Sequence, residues 1–262
     1  MLFPDQPRTV TLDGPAGVGK STLARRLAGT LGIAYLDTGA MFRTMALHLA
    51  SAFPDDQALP EGEVLLEFLE QCVFSLKGSG SETQLLCNGR IVGDEIRSEE
   101  AGMMAAKIAS LGVVREFLKS AQPRLGEAYY LVAEGRDMGT VVFPGALCKI
   151  FLDADPEVRA MRRYLQLFEM GRPCDLEDLT EQIRRRDKQD RERAMAPLRP
   201  AVDAHLIDTA NQGIEEVFAA ILAGVKEEQD IRTSRPMRRR DRAVPQAEAV
   251  DFLARREYGV LS

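Results

Sequence analysis

Gly14-Pro15-Ala16-Gly17-Val18-Gly19-Lys20-Ser21, with Thr22 after it, has the G-x-x-x-x-G-K-[ST] spacing of a phosphate-binding loop. The residues before it, Thr9-Val10-Thr11-Leu12, are short, β-branched and apolar, as a buried strand should be. After it, Ser21 to Ala28 places Leu23 and Leu27 one helical turn apart, with Ala24 and Ala28 beside them. Strand, loop and helix together are the setting in which the motif has a physical meaning. Its glycines let the backbone curl so that N–H groups face phosphate oxygens, and the helix N-terminus adds partial positive charge. Lys20 is expected to reach the outer phosphates and the Ser21 hydroxyl to meet Mg²⁺. A chance glycine-rich turn would not explain why all three pieces agree. Residues 14–22 are therefore expected to bind a nucleoside triphosphate.

The composition is that of a soluble globular protein: 262 residues, 45% hydrophobic and 28% charged, enough for one large α/β domain with insertions. A formal net charge of -6 leaves any anion site to a local basic cluster and does not favour nucleic acid as a partner of the whole surface. Cys72, Cys87, Cys148 and Cys174 are scattered without a C-x-x-C pair and read as reduced, mostly buried thiols. His48 and His205 have no partner at ligand spacing, so both read as structural, and histidine-based metal or triad chemistry is not expected. No export signal opens the chain, and no apolar run approaches the roughly 18 residues a membrane helix needs. The expected location is cytoplasmic.

Further along, Ala34-Tyr35-Leu36 reads as a second strand, leading through Asp37-Thr38-Gly39 into a helix over about 40–50. A Pro/Asp-rich stretch (53–62) and a helix over 63–70 follow. Residues 73–76 and 84–87 read as strands, and Asn88-Gly89 signals a type I′ hairpin before Arg90-Ile91-Val92. This antiparallel piece interrupts a βα alternation, so about 45–107 is expected to be an insertion. Helices over 98–110 and 113–125, strands at 129–133, 148–152 and 205–208, and a last core helix over 214–225 complete the pattern. Asp155-Pro156 and Asp175 are expected helix starts, the second helix running to about Arg193. The alternation implies a parallel sheet of five strands with ligands at its carboxyl ends. Residues 226–262 hold nine basic and seven acidic side chains and read as a solvated, flexible tail rather than a nucleic-acid-binding arm.

Three segments bear on what accepts the phosphate; no N-K-x-D guanine-reading motif occurs. Leu36 to Arg43 puts a hydroxyl, an arginine and an acid at a strand end. Ala133 to Thr140 places glycines beside adjacent charges of both signs, which a core would tolerate only with partners. In Arg184 to Arg193, the spacing of Arg186, Asp190 and Arg193 puts them on one helical face. Arg159, Arg162, Arg163 and Gln166 form another polar stripe. Read alone, these helices are solvated faces laced with i,i+4 pairs.

Together the strings Leu36 to Arg43, Glu134 to Pro144 and Arg186 to Leu198 resemble bacterial cytidylate kinase, in order and spacing, from about Thr9 to Val225. The resemblance implies an α/β P-loop nucleoside monophosphate kinase fold over residues 1–225. It implies a monophosphate-binding insertion enlarged by a small antiparallel sheet and an arginine-rich lid over about 155–195. The implied reaction is Mg²⁺-dependent transfer from ATP to CMP or dCMP. By the same resemblance Thr38, Arg43, Arg136 and Arg193 would hold the acceptor phosphate. Arg115 and Asp137 would read the base, and Asp190 would bind the ribose. Arg186 and Arg136, with Lys20, would serve catalysis by neutralising the group in flight, and Ser21 would hold Mg²⁺ with water-mediated help from Glu134 or Asp37. The expected partners are these nucleotides alone, with no membrane and a monomeric chain.

Base chemistry fits those roles. The exocyclic amine of cytosine needs an acceptor such as the Asp137 carboxylate, and its ring nitrogen and carbonyl need donors such as Arg115. The acceptor phosphate is already an anion, so positioning and electrostatics suffice without a strong base. Two positions depart from the family pattern: Ala106 stands where a serine would touch the base, with Ser110 the expected substitute, and Phe42 stands in place of tyrosine. The competing expectations are a P-loop kinase for a non-nucleotide small molecule, whose pocket would lack an Arg115/Asp137 pair, and a nucleic-acid binder using Arg235 to Arg242.

Overall fold

The strands that alternate with helices pair side by side. The computed structural model describes residues 9–53, 62–172 and 174–234. The main sheet contains β1 (Thr9–Asp13), β2 (Ala34–Asp37), β6 (Leu131–Gly135), β7 (Cys148–Asp153) and β8 (His205–Asp208), all parallel, in the order β2-β6-β1-β7-β8. Both faces are covered, as an all-parallel sheet requires. Alternate residues of β6 divide between two cores: Leu131 and Ala133 pack with Leu36, Met41, Met45 and Leu118, while Val132 packs with Leu12, Leu27, Ile150 and Ile221.

The helices are α1 (Lys20–Leu31), α2 (Thr38–Ala52), α3 (Gly62–Glu70), α4 (Glu99–Ile108), α5 (Gly112–Ala128), α6 (Pro156–Glu169), α7 (Leu176–Glu192) and α8 (Ile214–Ser234). Asp37 caps α2 by accepting from Ala40 N at 2.9 Å, and Asp175 caps α7 by accepting from Glu177 N and Asp178 N. Asp155 sits at the N-cap of α6 but makes no side-chain cap bond. Between α3 and α4 lies a second sheet, β3 (Phe74–Lys77), β4 (Gln84–Cys87) and β5 (Arg90–Ile91), antiparallel throughout. Its β4–β5 turn has φ 52° at Asn88 and 74° at Gly89, the left-handed pair a type I′ turn requires.

Two expected elements shift. The strand expected at 129–133 begins only at Leu131, because α5 continues to Ala128 and Tyr129 N donates to Leu125 O. It gains Glu134 and Gly135, which pair with Leu12 and Asp13 of β1. The last helix runs nine residues past Val225, to Ser234, since Lys226-Glu227-Glu228-Gln229 are strong helix formers even where the apolar face has ended. Residues 235–262, with the Arg235 to Arg242 run and the short helix expected near Ala249, lie outside the described residues. Among the described residues no helix is long and apolar enough to cross a membrane.

Candidate functional site

The carboxyl ends of β1, β2, β6 and β7 carry the side chains that matter. Leaving β1, the chain turns at Gly14 with φ 150°, where a Cβ would lie 2.1 Å from the Leu152 carbonyl oxygen; no other residue fits. The loop then winds into α1, with Val18 buried, Thr22 exposed and Gly19 at the helix N-cap. Lys20 is buried and donates from Nζ to Pro15 O at 2.6 Å, closing the loop on itself. Burial first, then the nearby Arg136 charge, lowers its ammonium to about 7. The carboxylates of Glu134 and Asp13 pull it the other way, and anionic oxygens at the loop would do the same.

On the β6 side, the Ser21 hydroxyl donates to Glu134 Oε2 at 3.0 Å, and the Tyr35 hydroxyl donates to the other oxygen of the same carboxylate. Burial, then the Asp37 charge, raises Glu134 above the usual carboxylate range. A hydroxyl and buried carboxylates beside the loop lysine are hard oxygen donors of the kind Mg²⁺ takes. At the end of β1, Asp13 accepts from Met138 N at 2.9 Å and Gly139 N at 2.7 Å, fixing the π-helical turn Met138–Val142. Burial raises its carboxyl to about 6 despite those two bonds.

A second cluster faces this loop. Asp37 accepts from Arg43 Nη2 at 2.9 Å, and Asp190 accepts from Arg136 Nε at 2.8 Å. Arg193 lies 3.7 Å from both Asp190 and Asp137, and Arg115 lies 3.6 Å from Asp137. Arg186 stands exposed, with no hydrogen bond among the described residues, in electrostatic reach of Arg136, Asp190 and Arg43. Five guanidinium groups (Arg43, Arg115, Arg136, Arg186 and Arg193) thus meet three carboxylates (Asp37, Asp137 and Asp190). Among the described residues, Arg43 Nε and Arg193 Nη2, the latter 3.7 Å from Asp137 Oδ1, are buried without a hydrogen-bond acceptor. Orphaned buried donors of this kind need a partner, and a phosphate dianion supplies both the acceptors and the missing charge. Thr38 is buried beside them, its hydroxyl on the Glu134 backbone carbonyl at 2.7 Å.

The residues singled out from the sequence therefore gather at one edge of the sheet. Arg193 is not on the helical face expected for it: α7 ends at Glu192, and Arg193 turns in extended backbone, tied from Nε to Ala196 O at 2.5 Å. Ser110 is exposed, its hydroxyl donating to Lys107 O at 2.6 Å.

Sequence reasoning missed Asp13 and Tyr35 and misread Arg159 and Asp187. Asp13 and Tyr35 are single residues on apolar strands; only the acid directly before Gly14 hinted at a role. Arg159 and Asp187, expected on solvated faces, are instead buried and paired through both carboxylate oxygens. Arg159 also donates to Ala16 O at 3.0 Å and Ala154 O at 2.8 Å, so it ties α6, α7 and the phosphate loop together. His48, expected to have no ligand partner, lies 3.4 Å from Cys72 Sγ and beside Cys87; chain separations of 24 and 15 residues hid the grouping.

A sequence profile described as Cytidylate kinase matches residues 10–227. Among curated relatives, a cytidylate kinase of Nitratidesulfovibrio vulgaris (strain Hildenborough) is 60% identical over 220 residues, covering 84% of this chain and 93% of the relative. One from Oleidesulfovibrio alaskensis is 56% identical over 217 residues, covering 83% and 97%. One from Thermosipho melanesiensis is 45% identical over 221 residues, covering 84% and 98%.

Proposed function

Because the chain belongs to the cytidylate kinase family, we propose that the site at the sheet's carboxyl edge transfers the γ-phosphoryl group of ATP to CMP or dCMP. An oxygen of the acceptor phosphate forms a bond to the γ-phosphorus, the β–γ bridge breaks, and ADP leaves with the bridging oxygen. The observation that carries the acceptor side is the guanidinium surplus, with its two unbonded buried donors.

In this reading Gly14 to Thr22 cradle the triphosphate through backbone N–H groups, and Lys20 leaves Pro15 O for the outer phosphates. Thr38, Arg43, Arg136 and Arg193 take the CMP phosphate, whose oxygens replace the carboxylates of Asp37 and Asp190. Arginine suits this because its planar fork grips two oxygens at once. Asp190, released from its arginines, turns to the ribose hydroxyl. Asp137 accepts from the cytosine amine while Arg115 donates to the ring, each good base-edge pair discriminating by about 1–3 kcal/mol. Ser21 and Glu134, with Asp37, would hold Mg²⁺, which supplies charge neutralisation at the phosphates when bound. Arg186 and Lys20 flank the group in flight. Domain roles follow: residues around 45–107 would close on CMP, and 155–195 would close on ATP as a lid.

A coupled assay of ADP release with CMP, dCMP, UMP and AMP tests the assignment. CMP and dCMP are expected to turn over fastest, UMP to lose about 1–3 kcal/mol in kcat/KM, and AMP to give no sustained rate. Equal rates with all four would refute it.

A further inference from the structure

Away from the nucleotide site, three side chains converge that neither the phosphate loop nor the arginine cluster uses. His48 lies near the C-terminal end of α2, Cys72 between α3 and β3, and Cys87 at the last residue of β4. Strand pairing brings the two sulfurs together. Phe74 sits directly opposite Cys87, and beyond that pair Val73 N donates to the Asn88 side-chain Oδ1 while Asn88 N donates to Val73 O, both at 2.8 Å. With side chains alternating, Cys72, Phe74 and Cys87 share one face and are buried, while Val73 points away and is 65% exposed. His48 is half-buried.

One ligand atom from each of His48, Cys72 and Cys87 lies within 4.8 Å of the other two, and His48 Nδ1 is 3.4 Å from Cys72 Sγ. A tetrahedral Zn²⁺, with Zn–S of about 2.3 Å and Zn–N of about 2.0–2.1 Å, separates sulfur and nitrogen ligands by about 3.6 Å. We propose that His48, Cys72 and Cys87 form a binding site for a thiophilic divalent cation of the Zn²⁺ type, with a water completing the fourth position. Two sulfurs and an imidazole prefer such an ion to Mg²⁺, which takes oxygen ligands, so this site does not compete with the nucleotide's metal. The bound ion ties α2, whose opposite end carries Thr38 and Arg43, to the small antiparallel sheet. Its consequence is a brace that fixes the insertion against the helix presenting the acceptor-phosphate ligands.

The test uses the full-length chain, reduced and metal-free, titrated with Co²⁺ as a spectroscopic probe and then with Zn²⁺. Expected are one equivalent of Co²⁺ with intense visible bands of tetrahedral geometry and thiolate-to-metal charge transfer, displaced by Zn²⁺, and a Zn²⁺-dependent rise in Tm. His48→Gln, Cys72→Ser and Cys87→Ser should each weaken Co²⁺ binding at least about tenfold, and Cys148→Ala/Cys174→Ala should retain it. Should either cysteine variant fail to fold, His48→Gln, which removes only a half-buried ring, still decides. No tetrahedral spectrum at stoichiometric Co²⁺, bands indifferent to His48→Gln, bands lost with Cys148 and Cys174, or a Cys72–Cys87 disulfide that persists under reduction would each overturn the proposal.

Discussion

Replacing Arg159 by methionine should destabilise the protein more than any exposed arginine would. Arg159 is 1% exposed and Asp187 8% exposed, and they are joined through both carboxylate oxygens. Methionine keeps much of the volume but strands the Asp187 charge, and losing one partner of a buried pair costs about 3–5 kcal/mol. Two carbonyls, Ala16 O and Ala154 O, also lose their donor. Against a total stability of about 5–15 kcal/mol, the expected fall in Tm is about 6–20 °C for a domain of this size. The double variant Arg159→Met/Asp187→Leu removes both charges and should recover most of the loss. Urea unfolding with linear extrapolation reads each value. Because Ala16 O belongs to the phosphate loop, KM for ATP should also rise in the single variant while KM for CMP changes less. A loss under about 1 kcal/mol, or a double variant no more stable than the single, would refute the reasoning.

Asp137→Asn exchanges one carboxylate oxygen for an amide donor, so the preference for CMP over UMP should narrow about tenfold or more; unchanged selectivity in kcat/KM would remove Asp137 from base reading. Lys20→Ala should lower kcat about 10²–10³-fold with CMP affinity nearly intact by calorimetry, and near-normal turnover would place the donor phosphates elsewhere. Lys20 at about 7 is mostly neutral at pH 8 in the free protein. Triphosphate oxygens raise it again, so ATP binding at pH 8 should take up protons, and the uptake should vanish near pH 6, where Lys20 is already charged. Binding enthalpies at pH 8 that do not vary with buffer ionisation heat, or that vary equally in Lys20→Ala, would contradict this.

Local chemistry made part of the fold legible. The glycine spacing of residues 14–19, the β-branched strands and Asn88-Gly89 each fix backbone conformation within a few residues, and the chain folds there as its residues dictate. The acceptor arginines came from family likeness, since a charge on a polar helix looks alike whether it meets water or a buried acid. Arg159 makes the point: its stripe with Arg162 and Arg163 has helical spacing, yet only Arg159 turns inward, because Asp187 arrives from a helix 28 residues away. The bounds of β6 differ from those the local pattern implies for a similar reason. Tyr129 and Tyr130 have strand propensity, but Tyr129 closes α5, and its hydroxyl donates to Leu76 O at 3.0 Å in the small sheet. Pairing with β1 and β2, invisible to local pattern, then carries the strand on to Glu134 and Gly135.

The central claim is that a cytidine monophosphate settles among guanidinium groups now held by carboxylates. A crystal structure of the protein with CMP tests it most directly. The phosphate oxygens should lie within hydrogen-bond distance of Arg43, Arg136 and Arg193, with Arg43 Nε and Arg193 Nη2 no longer unbonded and the cytosine amine on Asp137. Density for CMP elsewhere, with Asp37–Arg43 and Asp190–Arg136 still paired as in the free protein, would contradict it.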